Sequence, residues 1–353
     1  MPLCISEIIR SICSSLCFNS DSHPPRLTYF PLLQLPLVAM EHVLSMMSPF
    51  ELINVSLASS RSKRAVKSIS RTKKKFSVSF SNYWSSVSFH RHQMIWSYAI
   101  HINKDDAYLY KVIHQNEEDR EMVIKVSDEP LKDVMKWYDY AREVLNCKID
   151  SVTLKFNHPS SENRRLIDWI AAQNKTMEYM DLSSADEESN DDVKYLLERI
   201  HVTGIFNLEL KKYNDDFRME IPGNPEWLYV SKSQFIDYEQ LLRLKSPAIL
   251  LWESILTNEE INRFLKSWMS CETHLQLEAI VINAVDPISM NEIMDLPHEK
   301  TNDPKIAKAF NGKHFHVQVK NEMFTMKRCD GKKKATVTIE NKWKGWSLFL
   351  IVH

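Results

Sequence analysis

Glycine is scarce in this chain of 353 residues: Gly204, Gly223, Gly312, Gly331 and Gly345 are the whole set, and none lies near another. A loop that cradles phosphate needs several glycines in close sequence, so that backbone N–H groups can approach the anion. Both common glycine-loop types of nucleotide-binding enzyme are therefore all but excluded. Cysteine is sparse as well. The six are Cys4, Cys13, Cys17, Cys147, Cys271 and Cys329, and no Cys-x-x-Cys pair occurs. A secreted disulfide scaffold would be denser, and a zinc site would cluster its ligands. Reduced thiols in the cytosol or nucleus are the simpler expectation. Charge of one sign is lacking too: 45 basic residues stand against 46 acidic ones. Overall charge thus gives no reason for a uniform attraction to nucleic acid or to an acidic membrane surface. Apolar runs stay far below the ~20 residues a membrane helix requires.

What is present is an ordinary soluble composition, with 44% hydrophobic and 26% charged residues. The length is comfortable for two domains. Residues 1–18 are apolar in places, but no basic segment opens them, and Glu7 and Arg10 interrupt the run. They read as part of a poorly ordered extension over 1–28 rather than as a signal peptide.

Leu35-Pro36 then precedes a stretch in which Ala39, Val43, Leu44 and Met47 recur at helical spacing. Pro36 suits a first helical turn, where its missing N–H costs nothing. Ser48-Pro49 is a stop and restart, the serine as cap and the proline at the first helical position. A second helix carries Leu52, Ile53, Val55 and Leu57, and a basic third segment carries Val66 and Ile69.

In this register residues 29–72 resemble the F-box. That family's pattern runs Leu-Pro, a helix with an apolar pair, a Ser-Pro-type turn, an apolar helix, and a valine-or-alanine, serine, basic ending. Leu35-Pro36, Val43-Leu44, Ser48-Pro49, Leu52-Ile53 and Ala58-Ser59-Ser60-Arg61 supply it in order. The resemblance implies a three-helix domain that docks on the Skp-type adaptor of an SCF (Skp–cullin–F-box) ubiquitin ligase. It implies an adaptor-binding set of Leu35, Pro36, Val43, Leu44, Met47, Pro49, Leu52, Ile53 and Leu57, with Leu35 and Pro36 as anchors. Independently of the resemblance, so small a helical unit cannot bury all of this apolar surface internally.

Residues 61–75 hold eight basic residues in fifteen. They suit either the solvated face of the third helix or a nuclear-localisation or nucleic-acid patch. No aromatic residue interleaves them, so single-strand stacking has no support. Residues 76–148 read as a β-rich segment plus a helix. Phe76-x-Val78-x-Phe80, Val87-x-Phe89, Tyr98-x-Ile100-x-Ile102 and Tyr108-x-Tyr110-x-Val112 alternate in strand fashion, Val123 and Ile124 continue the sheet, and 129–145 has helical periodicity.

From residue 149 to 353, short apolar strands return: Leu154/Phe156, Met180/Leu182, Leu208/Leu210, Leu228/Val230, Ile249/Leu251 and Ile280/Ile282. Between the second members the steps are 26, 28, 20, 21 and 31 residues. Helical stretches over 163–173, 192–200 and 258–269 fall between them. A strand and a helix per repeat suggests an irregular, leucine-rich-like αβ solenoid; the strands of a compact α/β domain are the alternative. Two stretches resemble the F-box-associated domain (type 2) of a large set of nematode F-box proteins. One runs from Leu251-Trp252-Glu253-Ser254 through a Thr257-capped helix to Trp268. The other, 326–338, places Asp330-Gly331 as a hairpin turn, and 346–352 reads as a last strand.

The expected fold is therefore α+β: an F-box followed by an αβ solenoid or F-box-associated domain. The expected role is a non-catalytic substrate receptor, cytoplasmic or nuclear, bound to an adaptor, through it to a cullin, and to an unknown target protein. Odd-position side chains on strands near 228–251 are the expected target surface. No cofactor, metal or membrane is expected, and overall charge does not favour nucleic acid. His90-Arg91-His92 and His314-Phe315-His316 lack a third ligand and read as surface histidines. The acidic run 186–192 lacks the glycine and terminal glutamate of a calcium loop and reads as a solvated helix start. Two alternatives stay open: a repeat-type interaction module without ligase recruitment, and a nuclear nucleic-acid-associated factor using 61–75.

Overall fold

The computed structural model describes residues 32–72, 76–102, 111–115, 118–157, 159–214, 216–283, 289–342 and 345–353. The extension over 1–28, with Cys4, Cys13 and Cys17, lies outside the described residues, as do residues 73–75, Tyr108 and Tyr110. The chain divides into two compact units, Met1–Ser151 and Val152–His353.

In the first unit a short 3-10 turn, Leu32–Gln34, leads into α1 (Leu37–Met46), α2 (Pro49–Ala58) and α3 (Ser60–Thr72). Helix α2 starts as its sequence dictates. Pro49 stands in the first turn, and a capping box closes the end: Ser48 accepts from the Glu51 N–H at 3.2 Å, while the Glu51 carboxylate accepts from the Ser48 N–H at 2.7 Å. Strands β1 (Ser77–Ser81), β2 (Ser86–Arg91) and β3 (Met94–His101) form an antiparallel meander. Strand β5 (Glu118–Val126) pairs parallel with β3, and β4 (Lys111–Gln115) pairs antiparallel with β5. Helix α4 (Pro130–Leu145) ends on Asn146 in the left-handed conformation that asparagine tolerates. It buries Val134, Tyr138, Ala141 and Val144, a 3-4 spaced stripe. Its Trp137 stacks on Tyr98 at 4.0 Å and meets Phe50 of α2 edge-on at 6.3 Å, so helices and sheet share one core.

The second unit strings strands and helices in alternation. Strands β6 (Ser151–Phe156), β7 (Thr176–Ser184), β8 (His201–Leu210), β9 (Trp227–Val230), β10 (Ala248–Leu251) and β11 (Ala279–Asn283) are neighbours in chain order. From β7 to β11 the pairing is parallel throughout. Helices α5 (Ser160–Gln173), α6 (Asn190–Leu197), α7 (Tyr238–Arg243) and α8 (Asn258–Met269) lie between them in sequence. Each expected apolar pair, from Leu154/Phe156 to Ile280/Ile282, is buried on a strand.

Beyond β11 the chain carries two short helices, α9 (Ser289–Ile293) and α10 (Pro304–Ala309), with the edge strand β12 (Glu299–Thr301) between them. Strands β13 (Met323–Lys327), β14 (Lys334–Lys342) and β15 (Gly345–Val352) complete the sheet antiparallel, with β15 against β11. Phe310, Phe315 and Val317, with partly buried Ile306 and Val319, pack on Ala248, Leu250, Val281 and Phe349 of the sheet. The turn expected at Asp330-Gly331 is a longer loop: Arg328 N–H bonds Lys333 O at 3.1 Å, Gly331 N–H bonds Arg328 O at 2.9 Å, and Gly331 has φ 68°. The extra residues between the strands displace the two-residue hairpin that Asp-Gly alone suggests.

Candidate functional site

Helix α1 separates its apolar residues between two sides. Leu44 is fully buried, and Ala39, Val43 and Met47 are half-buried beside it. On the other side Leu37 is 65% exposed, Val38 78% and Met46 62%, with exposed Pro36 before them and exposed Glu41 and His42 between. Nine residues were expected to form the adaptor-binding set. Pro36 is exposed, and Leu35, Val43, Met47 and Leu57 are half-buried. Leu44, Pro49, Leu52 and Ile53 are interior. These four support the helices from within: α2 packs on α3 and α4, and Leu52 and Ile53 are buried. Leu37, Val38 and Met46 are the exposed apolar residues that the sequence reading passed over. A signal was available for Val38, which lies about 120° round the helix from Leu44, but not for Leu37, which at seven positions before Leu44 is only about 20° from it.

Helix α3 carries the basic run, and two of its cations share one acidic partner. Lys63 and Lys67 both reach the Glu143 carboxylate of α4 at 3.0 Å, and Lys63 sits 4.8 Å from the Tyr140 ring centroid. The two lysine hydrogen bonds hold the Glu143 carboxyl below its usual range. Arg61 donates to Leu33 O at 3.1 Å, tying the third helix to the turn before the first. The Ser56 hydroxyl meets the Tyr140 hydroxyl at 3.0 Å, a further tie between α2 and α4.

The second unit presents a different surface. Along β7, β8 and β9 the inward residues alternate with Tyr179, Asp181 and Ser183, then Ile205, Asn207 and Glu209, then Trp227 and Tyr229. Parallel register sets these side by side, Tyr179 opposite Ile205 and Trp227, Asp181 opposite Asn207 and Tyr229. Asn207 donates to the Tyr179 hydroxyl at 3.3 Å. Ile205 is 41% exposed, and neither Asp181 nor Glu209 has a basic partner among the described residues. Partial burial, then the charge of Glu209, pushes the Asp181 carboxyl up. The register depends on Gly204: a Cβ there would stand 2.2 Å from Glu178 O, where β8 bulges against β7. Of the odd-position side chains expected to meet a target, Tyr229 lies on this face. Ile249 and Leu251 are buried on the opposite one, because the parity of β10 turns them under the helices.

The remaining candidates have structural employment. His90 bonds the Ser79 hydroxyl at 2.8 Å. His314 stacks on Trp227 at 5.6 Å and meets Glu278 at 3.1 Å. In the acidic run Asp186 caps the Ser189 N–H at 2.9 Å, but Asp192 is buried, not solvated. It accepts from Ser160 at 2.6 Å, Asn163 at 2.8 Å and Arg164 at 3.2 Å, pinning α5 to α6. A cleft of about 840 Å³ beside β12 and β13 is lined by Thr301, Asn321, Phe324 and an ion pair of Lys300 with Glu322. Among the described residues, no group of three or more His, Cys, Asp or Glu could hold a metal ion, and no helix is long and apolar enough to cross a membrane.

No curated protein and no solved structure matches the chain. Two domain families do. The F-box domain matches residues 32–74, over α1, α2 and α3, and the F-box associated family matches residues 216–282, from the approach to β9 through β11. F-box domains bind Skp-type adaptors as a general property, and F-box proteins are typically non-catalytic adaptors of ubiquitin ligases. The chain carries an F-box domain followed by an F-box associated domain.

Proposed function

We propose that this chain is the substrate-recognition subunit of an SCF-type ubiquitin ligase. The observation that carries the reading is the F-box match over helices whose first member offers Pro36, Leu37, Val38 and Met46 to solvent. A helix with an exposed apolar stripe is what a helix-in-groove contact uses, with a few buried anchors supplying most of the affinity. Leu35 and Pro36, with Leu37, Val38 and Met46, form the outer contact set. Val43, Met47 and Leu57 flank it, and Leu44, Pro49, Leu52 and Ile53 hold its helices in place. In this reading a cullin joins through the adaptor, and residues 29–72 and 149–353 act as separate modules joined by the β-rich segment. The chain does no chemistry. It raises the effective concentration of a target beside the charged conjugating enzyme. Grouping with nematode F-box proteins of the same architecture, cytoplasmic or nuclear placement, and descent of β6–β11 from leucine-rich-like repeats belong to the same proposal.

The target surface in this reading is the open face of β7–β9. Asp181 and Glu209 beside Tyr179 and Tyr229 suit a lysine- or arginine-bearing segment, which carboxylates and aromatic faces both attract. A nucleic-acid role for α3 has less behind it, since two of its cations, Lys63 and Lys67, are already engaged on the Glu143 carboxylate.

The test is a pull-down with a Skp-type adaptor and a cullin, comparing the intact chain with Leu35→Ala/Pro36→Ala. Capture of both proteins by the intact chain, reduced in the variant, is the expected outcome. A folded intact chain that captures neither would leave only a repeat-type interaction module.

A further inference from the structure

Helix α8 ends in a Schellman motif: Glu272 N–H bonds Ser267 O at 3.0 Å and Cys271 N–H bonds Trp268 O at 3.2 Å. The residue after the cap of such an ending is left-handed and usually glycine. Here it is Cys271, with φ 62°. An L-residue with a side chain is disfavoured there, and such departures mark positions where the side chain has a use.

Facing it is Cys329, in the loop between β13 and β14. That loop is docked on the helix end by two bonds, the second from a guanidinium that the loop's own Asp330 holds in place. Cys329 N–H donates to Met269 O at 2.7 Å. Arg328 donates to Leu275 O at 3.1 Å, and Asp330 grips its guanidinium at 3.1 and 2.7 Å. The result holds two sulfurs, 58 positions apart in sequence, at 3.1 Å, with the Cys329 thiol donating to Cys271. A disulfide needs ~2.05 Å, about 1 Å closer. Cys329 is exposed and Cys271 half-buried, so a small reagent reaches the pair.

We infer that Cys271 and Cys329 form a reversible dithiol–disulfide site whose oxidant is a low-molecular-weight disulfide of the glutathione type. The hydrogen bond places the first nucleophile. Cys329 donates its proton to Cys271, and that bond first of all pushes the Cys329 thiol up, so Cys271 is the sulfur left to attack first. Cys271 thiolate attacks one sulfur of the reagent, whose S–S bond breaks and releases one small thiol. Cys329 then gives up its proton and attacks the Cys271 sulfur of the mixed disulfide, releasing the second. Two protein thiols and one small disulfide become one protein disulfide and two small thiols. Two electrons pass to the reagent, and both protons end on the released thiols. The cross-link ties the end of α8 to the β13–β14 loop.

The experiment treats the full chain with a roughly tenfold excess of glutathione disulfide over glutathione, followed by alkylation and non-reducing peptide mapping. One peptide joining Cys271 to Cys329 is expected, with Cys147, whose thiol burial pushes up to about 12, still alkylated. Oxidation should raise the melting temperature by several degrees and a dithiol reductant should reverse it. Cys271→Gly, which suits the left-handed cap and keeps the chain folded, should abolish both effects. Cys329→Ser should instead accumulate the mixed disulfide at Cys271. Persistence of both thiols in the intact chain, a mixed disulfide that never closes, or Cys271 joined to any other cysteine would overturn the inference.

Discussion

Asp192, Gly204 and His274 are each tied to one physical requirement. Asp192 is a carboxylate removed from water and given three donors on α5. Asp192→Ala takes the acceptor from Ser160, Asn163 and Arg164, at a cost of about 1–3 kcal/mol. Urea unfolding of the full chain measures it, and a change below about 0.5 kcal/mol would mean the contacts are incidental. Gly204→Ala drives a methyl group into Glu178 O. The expected loss is roughly 1–3 kcal/mol, as for other overpacked sites. His274, beside Phe264 at 5.0 Å, is held down at about 4 by burial. Its folded pKa lies below the unfolded value of ~6.5, so the neutral form stabilises the fold above that pH. The contribution is lost as pH falls from about 6.5 towards 4. His274→Asn, which tolerates the left-handed φ of 49°, should flatten the pH dependence of the unfolding midpoint across that window. An unchanged slope would assign the dependence to other groups. Of these three residues the sequence spoke only for Asp192, and placed it in a solvated run. The 26-residue separation of Gly204 from Glu178 hides the close approach until β7 and β8 pair.

At the scale of elements, the capped starts were the readable part. Ser48-Pro49 and Thr257 declare helices through their own side chains, and both close capping boxes. What surrounds a helix is not local. Leu37-Val38 and Val43-Leu44 look alike in sequence, yet the first pair is exposed while Leu44 is buried and Val43 half-buried. The Lys63–Glu143 and Ser56–Tyr140 bonds join positions 80 and 84 residues apart, and nothing near either partner announces them. This division yields a prediction for α1 and α2. Leu37→Asp/Val38→Asp should leave thermal stability within about 0.5 kcal/mol, as exposed positions do. Leu52→Ala, at a fully buried site, should cost about 2–5 kcal/mol. Equal destabilisation by both would show that α1 has no free outer side.

For the molecule as a whole, the parallel succession from β7 to β11 was legible because apolar pairs recur at strand length with helical stretches between. The antiparallel return of β13–β15 and the cover of Phe310 and Phe315 were not, since they depend on β15 pairing with a strand 68 positions earlier. The proposed division of labour predicts two independent surfaces. Tyr229→Ala/Glu209→Ala should weaken capture of a basic target while adaptor binding stays unchanged. Loss of both together in a folded variant would mean the surfaces are not separate.

The most direct measurement of the central claim is a calorimetric titration of a purified Skp-type adaptor into the full chain, into Leu37→Asp/Val38→Asp, and into Leu52→Ala at a temperature where that variant is folded. The account predicts saturable binding by the intact chain, at least tenfold weaker binding by the α1 variant, equivalent to about 1.4 kcal/mol, and near-normal affinity for Leu52→Ala. An intact, folded chain that gives no binding, or an α1 variant that binds as tightly as the intact chain, would contradict it.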